Sequence, residues 1–397
     1  MPRSLRPFLL NSLLVLGSLL AAAALFELAL RLIGFSYVAF YRPDEIVGLR
    51  LRANVEGRFN DEGSSFIRTN SAGFRDRERS EAKPPGHFRI AVLGDSYIEA
   101  KQVDFEETFP ALLEKRLNLC GAFGRRPVEV LNFGVPGYGT AQELLTYRHL
   151  ASRYAPDLVI VAVFTGNDIR NNSRELEPDK MRPFFTLEGD KLVEDRSFAQ
   201  TDEYHRRTNR LRASLDYLRV LRIVQAAYFI KERLEASGAA LPARTADAAA
   251  FEAGIDNDVY IEPRTREWQD AWAVTEHLFA QLDREVRASG ASLLMVSLST
   301  GIQVHPDPEV RRLFVSSLEG RDIFYPDRRV EAIASSLGVE FMMLAPELQA
   351  RAEREKIFFH GFPNARIGTG HWNQSGHLAA AELVAAKLCR TAGVVSR

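Results

Sequence analysis

The chain has 397 residues, 46% apolar and 26% charged, the proportions of a globular protein able to bury a substantial core. Its formal net charge is -1, and its basic residues fall in short clusters such as Arg125-Arg126 and His205-Arg206-Arg207, so composition carries no footprint for nucleic acid. Cys120 and Cys389 match no zinc-site spacing, and they read as two separate small apolar residues rather than a disulfide.

Arg3 and Arg6 precede an uncharged stretch over residues 8–26 that is rich in Leu, Ala and Val. As a helix this stretch is long enough to cross the hydrocarbon core of a bilayer. The basic flank favours keeping the N-terminus in the cytoplasm and exporting the rest of the chain. A cleaved signal peptide is the rival reading, with Ala21-Ala22-Ala23 as the cleavage site, but the run is longer than a usual signal core and favours an uncleaved anchor. The expected layout is therefore a cytoplasmic N-terminus and transmembrane anchor (1–34), an extended lead-in (35–87) and a main domain (88–397) with an insertion at about 170–264. This places the chain in the inner (cytoplasmic) membrane as a single-pass protein, with its main domain extracytoplasmic, in the periplasm.

Residues 42–85 are polar and broken by Gly and Pro, and they predict no helix. The run Ile90-Ala91-Val92-Leu93 then suits a strand buried on both faces. Phe109, Leu112, Leu113 and Leu117 come next at helical spacing. Val128-Glu129-Val130-Leu131 predicts a second strand, residues 142–154 a helix, and the Val-rich run 158–164 a third strand. Within the insertion, Leu211, Leu215, Leu218 and Leu221 predict an amphipathic helix, and residues 239–250 an Ala-rich loop or weak helix. The whole insertion is expected to lie over the catalytic face. Alternation resumes with a helix over 268–288, a strand over 293–298, a helix over 330–337, a strand over 339–343 and a last helix over 375–388. Strands and helices in this order imply an α/β domain with a parallel sheet covered on both faces.

Three short segments come directly after the first three strands: Gly94-Asp95-Ser96-Tyr97, then residues 132–139 with Gly137 and Gly139, then Thr165-Gly166-Asn167-Asp168. In a parallel sheet reactive groups gather at the carboxyl ends of strands. A serine there is open to substrate, and glycine N–H groups and an asparagine amide can hold a developing oxyanion. Each segment alone has a plain structural reading as a turn or a helix cap. A fourth segment, Gly370-His371-Trp372-Asn373-Gln374-Ser375-Gly376-His377, offers His371 or His377 as the base that a serine nucleophile needs.

As a set, these segments resemble the four blocks that define the SGNH (GDSL-type) hydrolases, in the family's order from about residue 89 to 388. The lead-in run Thr69-Asn70-Ser71-Ala72-Gly73-Phe74-Arg75 is similar to that of membrane-anchored bacterial members. The resemblance implies a three-layer α/β/α flavodoxin-like fold, with Ser96 as nucleophile and His371 as base. Ser96 and Gly137 N–H and the Asn167 amide would form the oxyanion hole. His377 then reads as a structural residue at the start of the last helix.

The family usually carries an aspartate two or three residues before the histidine, where this chain has Thr369 and Gly368. No third member can be named, and a backbone carbonyl or an acid from elsewhere must orient the ring. The implied activity is a serine esterase that needs no cofactor or metal and acts on an ester-bearing glycan or lipid. An O-acyltransferase for an exported polysaccharide is the alternative. A non-catalytic glycan-binding or assembly component is a third reading, to which the missing aspartate lends weight.

Overall fold

The structure, a computed structural model, describes residues 5–35, 37–209, 221–238, 252, 255–318 and 322–394. In chain order these begin with helix α1 (Leu5–Leu32) and four short strands, β1 (Tyr41–Asp44), β2 (Gly48–Leu51), β3 (Glu56–Phe59) and β4 (Ser65–Arg68). Next come β5 (Phe88–Gly94), α2 (Ser96–Glu99), α3 (Phe109–Cys120), β6 (Val128–Gly134), α4 (Thr140–His149), β7 (Leu158–Val163) and α5 (Asp168–Asn171). The region expected to be an insertion holds β8 (Phe184–Glu188), β9 (Lys191–Asp195), α6 (Asp202–Thr208) and α7 (Arg222–Gly238). The chain continues through α8 (Arg266–Ala288), β10 (Ser292–Ser297), α9 (Pro308–Ser317), α10 (Tyr325–Ser336), β11 (Glu340–Met343), α11 (Ala345–Glu355) and α12 (Gln374–Val394).

The chain divides into two compact units, Met1–Ala39 with Arg206–Arg244, and Phe40–His205 with Thr245–Arg397. In the first, α1 carries a span from Pro7 to Leu32 with mean hydropathy 2.3, long and apolar enough to cross a membrane. Helix α7 packs on the end of α1. Glu27 accepts a hydrogen bond from the Ile223 N–H (2.9 Å), and Phe229 meets Phe35 and Tyr37 edge-on. Of the leucines expected to mark an amphipathic helix, Leu211, Leu215 and Leu218 lie outside the described residues, as does the stretch 239–250.

In the second unit, five parallel strands run in the order β11-β10-β7-β5-β6. Read from the other edge this is the 2-1-3-4-5 order of a flavodoxin-like sheet, with its direction reversing at β5. Strands β5 and β7 are buried along their whole length, as the uninterrupted Val, Ile, Leu and Ala runs dictate. The crossovers put α3 and α12 together on one face and α4 and α8 together on the other. The resulting α/β/α sandwich is the expected fold class.

The two cysteines correct the sequence reading. Cys120 closes α3 and Cys389 lies near the end of α12, and because these helices pack side by side their Cα atoms are 6.3 Å apart and the thiols are joined as a disulfide. Sequence distance hid a pairing that the shared helix layer creates.

The lead-in forms two antiparallel hairpins, β1–β2 and β3–β4. Its Thr69–Arg75 segment docks beneath α2. The buried Arg75 guanidinium donates to the carbonyls of Glu99, Ala100 and Val103, and Asn70 Oδ1 accepts from the N–H groups of Ala72 and Phe74.

Candidate active site

Ser96 is the first residue of α2, immediately past the end of β5. Asp95 caps this turn, its carboxylate accepting from the Tyr97 N–H at 2.9 Å. The turn sits unusually close to the sheet. A Cβ on Gly94 would lie 2.4 Å from Ile98 Cγ1, and one on Gly134 would lie 2.3 Å from Glu99 N, so only glycine fits at either strand end. The Ser96 side chain is left half-buried at the sheet's edge while its neighbours are enclosed.

His371 is brought to it by the loop before α12. Its Nε2 lies 2.8 Å from Ser96 Oγ. Its Nδ1 lies 2.5 Å from Oε2 of Glu62, and its backbone N–H donates to the other oxygen, Oε1, at 2.8 Å. The carboxylate thus grips both the ring and the main chain of His371. Burial works to raise the Glu62 pKa, but hydrogen bonds and charge from His371 outweigh it and hold the carboxyl below the ordinary glutamate range.

Glu62 fills the position that Thr369 and Gly368 leave vacant in sequence, and it is the residue that sequence reasoning missed. It stands at the tip of the β3–β4 hairpin. Asn364 clamps that tip, accepting from the Gly63 N–H (2.9 Å) and donating to the carbonyls of Gly63 and Asn60. Gly63 has φ +72°, and a Cβ there would lie 2.3 Å from Gln102 O. The only local sign was a turn sequence, Asn60-Asp61-Glu62-Gly63, between two short extended runs. At the position where the resembled family carries its aspartate the backbone has φ +86° at Gly368, and Thr369 Oγ1 donates to the Arg366 carbonyl.

The His371 loop is fixed from behind as well. The Gly370 carbonyl accepts from Tyr97 OH (2.9 Å) and lies 2.7 Å from His360 Nδ1. His360 Nε2 in turn faces Ser299 Oγ at 2.9 Å, which accepts from Trp372 Nε1. Burial pushes the His360 pKa down to about 4, so the ring is neutral and the chain of bonds runs in one direction, from the indole to the Gly370 carbonyl. His377 is likewise buried and is pushed down to about 3. Its Nδ1 accepts from the Phe109 N–H, on the far side of Trp372's ring contacts, and it makes no bond to Ser96.

Gly137 and Asn167 lie just beyond β6 and β7, the two strands flanking β5, so they stand on either side of Ser96. Gly137 adopts φ +73°, and its carbonyl accepts from Asn171 Nδ2 (3.1 Å) and Arg182 Nη1 (2.6 Å), which sets the direction of the adjoining peptide. Asn167 occupies the cap position of α5 yet its side chain makes no capping bond, and its Oδ1 is buried without a hydrogen-bond partner among the described residues. Beneath these groups lie three enclosed acids. Burial raises the pKa of Asp95 to about 6 and holds Glu143 and Asp168 well above the ordinary carboxylate range. No group of side chains able to hold a metal ion occurs among the described residues.

A serine, an imidazole and a carboxylate in hydrogen-bonded sequence, at the carboxyl edge of a 2-1-3-4-5 sheet with the glycine and asparagine blocks on either side, decide the architecture. The domain has the flavodoxin-like α/β/α fold that the resemblance to the SGNH hydrolases implies. Neither a family model nor a curated protein sequence matches the chain. Among solved structures, TesA is 15% identical over 76% of this chain and 97% of its own, with a TM-score of 0.37. An acetylxylan esterase, Axe2 from Geobacillus stearothermophilus, is 10% identical over 76% of this chain and 94% of its own, with a TM-score of 0.39. The lipase/acylhydrolase from Enterococcus faecalis is 10% identical over 77% and 96%, with a TM-score of 0.37. Around this α/β/α core the segment 170–205, with β8–β9, reaches the site through Arg182, and Glu252 reaches it through the Gly370 N–H at 2.7 Å.

Proposed function

We propose that this protein is a membrane-tethered serine esterase that hydrolyses an O-acyl ester on an envelope glycan or lipid. The observation that carries the reading is the Ser96–His371–Glu62 relay, with 2.8 Å between hydroxyl and ring and 2.5 Å between ring and carboxylate. Glu62 holds the proton on Nδ1, which leaves Nε2 free to take the Ser96 proton as the hydroxyl attacks the ester carbonyl. The oxyanion is received by the N–H groups of Ser96 and Gly137 and the Asn167 amide. His371 then protonates the departing alcohol, and a water deprotonated by the same ring releases the acyl group. Glu62 supplies the carboxylate whose absence favoured a non-catalytic role.

Helix α1 supports tethering, with the basic N-terminal flank favouring an inner-membrane anchor whose catalytic domain faces the periplasm. A disulfide between α3 and α12 supports the same compartment, since such bonds persist where the surroundings oxidise.

The test is hydrolysis of p-nitrophenyl acetate by the full chain in detergent. Ser96→Ala and His371→Ala should each abolish the Ser96-dependent rate while leaving the melting temperature close to wild type. Full activity in Ser96→Ala removes the assignment. Acetate released to water, measured against acetyl passed to an added oligosaccharide, separates hydrolase from transferase.

A further inference from the structure

Two buried donors that take no part in the acyl-transfer steps converge on one peptide group beside the base. The Gly370 carbonyl and the His371 N–H belong to the same planar unit, so whatever holds the oxygen also aims the hydrogen. The oxygen accepts from the Tyr97 hydroxyl at 2.9 Å and faces His360 Nδ1 at 2.7 Å, which occupies both of its lone pairs. The hydrogen meets Glu62 Oε1 at 2.8 Å, and the other oxygen of that carboxylate lies 2.5 Å from His371 Nδ1.

Neither donor has freedom to turn elsewhere. Tyr97 is buried, its ring stacked on Phe164 at 4.2 Å between centroids and set edge-on to Trp372. Burial holds its phenol well above the ordinary range, so the hydroxyl keeps the proton it donates. Tyr97 directly follows Ser96 in α2, so one packed side chain ties the nucleophile's turn to the base's loop. His360 is buried too, with Ser299 Oγ 2.9 Å from its Nε2. That hydroxyl accepts from the Trp372 indole and donates onward to the ring, which puts the ring's proton on Nδ1, facing Gly370. The main chains of the two segments are paired as well, by a bridge between His360 and Trp372 and by the Gly361 N–H on the His371 carbonyl at 3.0 Å.

Two runs of donors therefore meet at Glu62. One comes from the Trp372 indole through Ser299, His360 and the 370–371 peptide. The other comes from Ser96 through the His371 ring. Hydrogen bonds in series polarise one another, so a carbonyl carrying two donors makes the N–H of its own peptide a stronger one. We propose that Tyr97 and His360 are positioning residues for the base, acting through the Gly370–His371 peptide to hold Glu62 against His371 Nδ1. The inference rests on the esterase reading and adds to it the side chains that keep a carboxylate from a distant hairpin seated on the ring.

Two readouts on the full chain in detergent test it, and one needs no turnover. The proton between His371 Nδ1 and Glu62 gives a far-downfield ¹H NMR line, identified by its loss in His371→Ala. It should move upfield in Tyr97→Phe and in His360→Gln. It should hold its place in His360→Asn, whose amide can donate from the position of Nδ1, whereas that of glutamine reaches the Ser299 side. With p-nitrophenyl acetate, Tyr97→Phe should lower kcat about fivefold, the worth of one hydrogen bond, and leave KM unchanged. In a Glu62→Gln background the same change should cost less than about twofold, because a residue that acts through Glu62 has nothing left to act on. A side chain that only stabilises the fold would cost the same in both backgrounds, and that result overturns the proposal. An NMR line that stays in place in Tyr97→Phe overturns it too. Tyr97→Phe keeps the ring and its packing, so it decides the matter even if the His360 variants do not fold. Failure of the esterase reading is seen separately, as no Ser96-dependent release of p-nitrophenol by the parent chain, and the NMR line then still tests the positioning.

Discussion

The Glu62 carboxylate occupies the space that a side chain on residue 370 would need. A Cβ built on Gly370 would lie 2.2 Å from Glu62 Oε1, and Gly370 itself holds φ +81°. The glycine before the histidine is therefore part of the relay's construction, because it lets a distant hairpin tip close over the imidazole. Gly370→Ala should displace Glu62 by about an ångström and lower kcat about 10²-fold, with KM for p-nitrophenyl acetate little changed. Wild-type kcat in this variant would show that the contact is dispensable.

Glu62→Gln tests the carboxylate directly. The amide keeps the size of the side chain but presents the wrong polarity to Nδ1–H or to the His371 backbone N–H, so one of the two bonds is lost. A fall in kcat of about 10²–10⁴-fold is expected, with partial recovery in Glu62→Asp if the hairpin can move with it. A loss of less than threefold would mean that the ring is oriented by another group.

Stability should depend on pH through the buried acids. Asp327 is fully enclosed, bonded to Ser297, Gln303 and Thr165, and burial raises its pKa from 3.8 to about 6. A folded-state pKa above the unfolded one favours the fold below pH 3.8, and that contribution is lost as pH rises through about 6. Asp95 at about 6 and Glu252 at about 7 act in the same sense. The melting temperature should therefore fall between about pH 4 and about pH 7.5. Asp327→Asn should flatten part of that slope, whatever its effect on the absolute value. An unchanged slope would show that Asp327 is not titrating there. Glu62, with its pKa depressed, works oppositely: its contribution is present above the ordinary carboxylate range and is lost only as pH falls below it.

The disulfide closes a separation of 269 residues. Loop-closure entropy for so long a segment makes its removal cost about 2–5 kcal/mol. Adding a reductant, or replacing both cysteines by serine, should lower the denaturation midpoint accordingly while p-nitrophenyl acetate turnover at low temperature persists. Equal midpoints with and without reductant would contradict it.

Arg75 supplies a test away from the relay. It donates to three main-chain carbonyls just past the nucleophile's turn, and Arg75→Met would leave those of Glu99 and Val103 without this donor at about 1–3 kcal/mol each, while Ala100 keeps the Val103 N–H. A drop in stability of about 2 kcal/mol or more should accompany a lower kcat. Denaturant midpoints that coincide with wild type would show that the guanidinium is not needed there.

The blocks holding Ser96, Gly137, Asn167 and His371 stood out in the sequence because three follow successive hydrophobic strands and one precedes the last helix, and the structure brings Ser96 and His371 within 2.8 Å of each other. The sheet was legible for the same reason, since a strand buried on both faces such as β7 leaves an unbroken apolar run. Glu62 was not. Nothing periodic marks a hairpin tip, and a partner 309 residues away is chosen by tertiary packing rather than local pattern. The cysteine pair escaped for the same physical cause. Hairpin β8–β9 and helices α9 and α11 were not foreseen either; each is short, and the two helices bury only a few side chains, among them Phe314 and Leu348.

The position of the β3–β4 hairpin also bears on how the chain could be made soluble. Trimming the chain to the start of the parallel sheet, the natural cut for removing a greasy leader, would discard both Glu62 and Arg75, taking away the carboxylate beside His371 and the guanidinium that braces the turn after Ser96. A break upstream of Phe40 would keep both hairpins and the proton relay whole, so the boundary of useful protein lies well ahead of the boundary of its core.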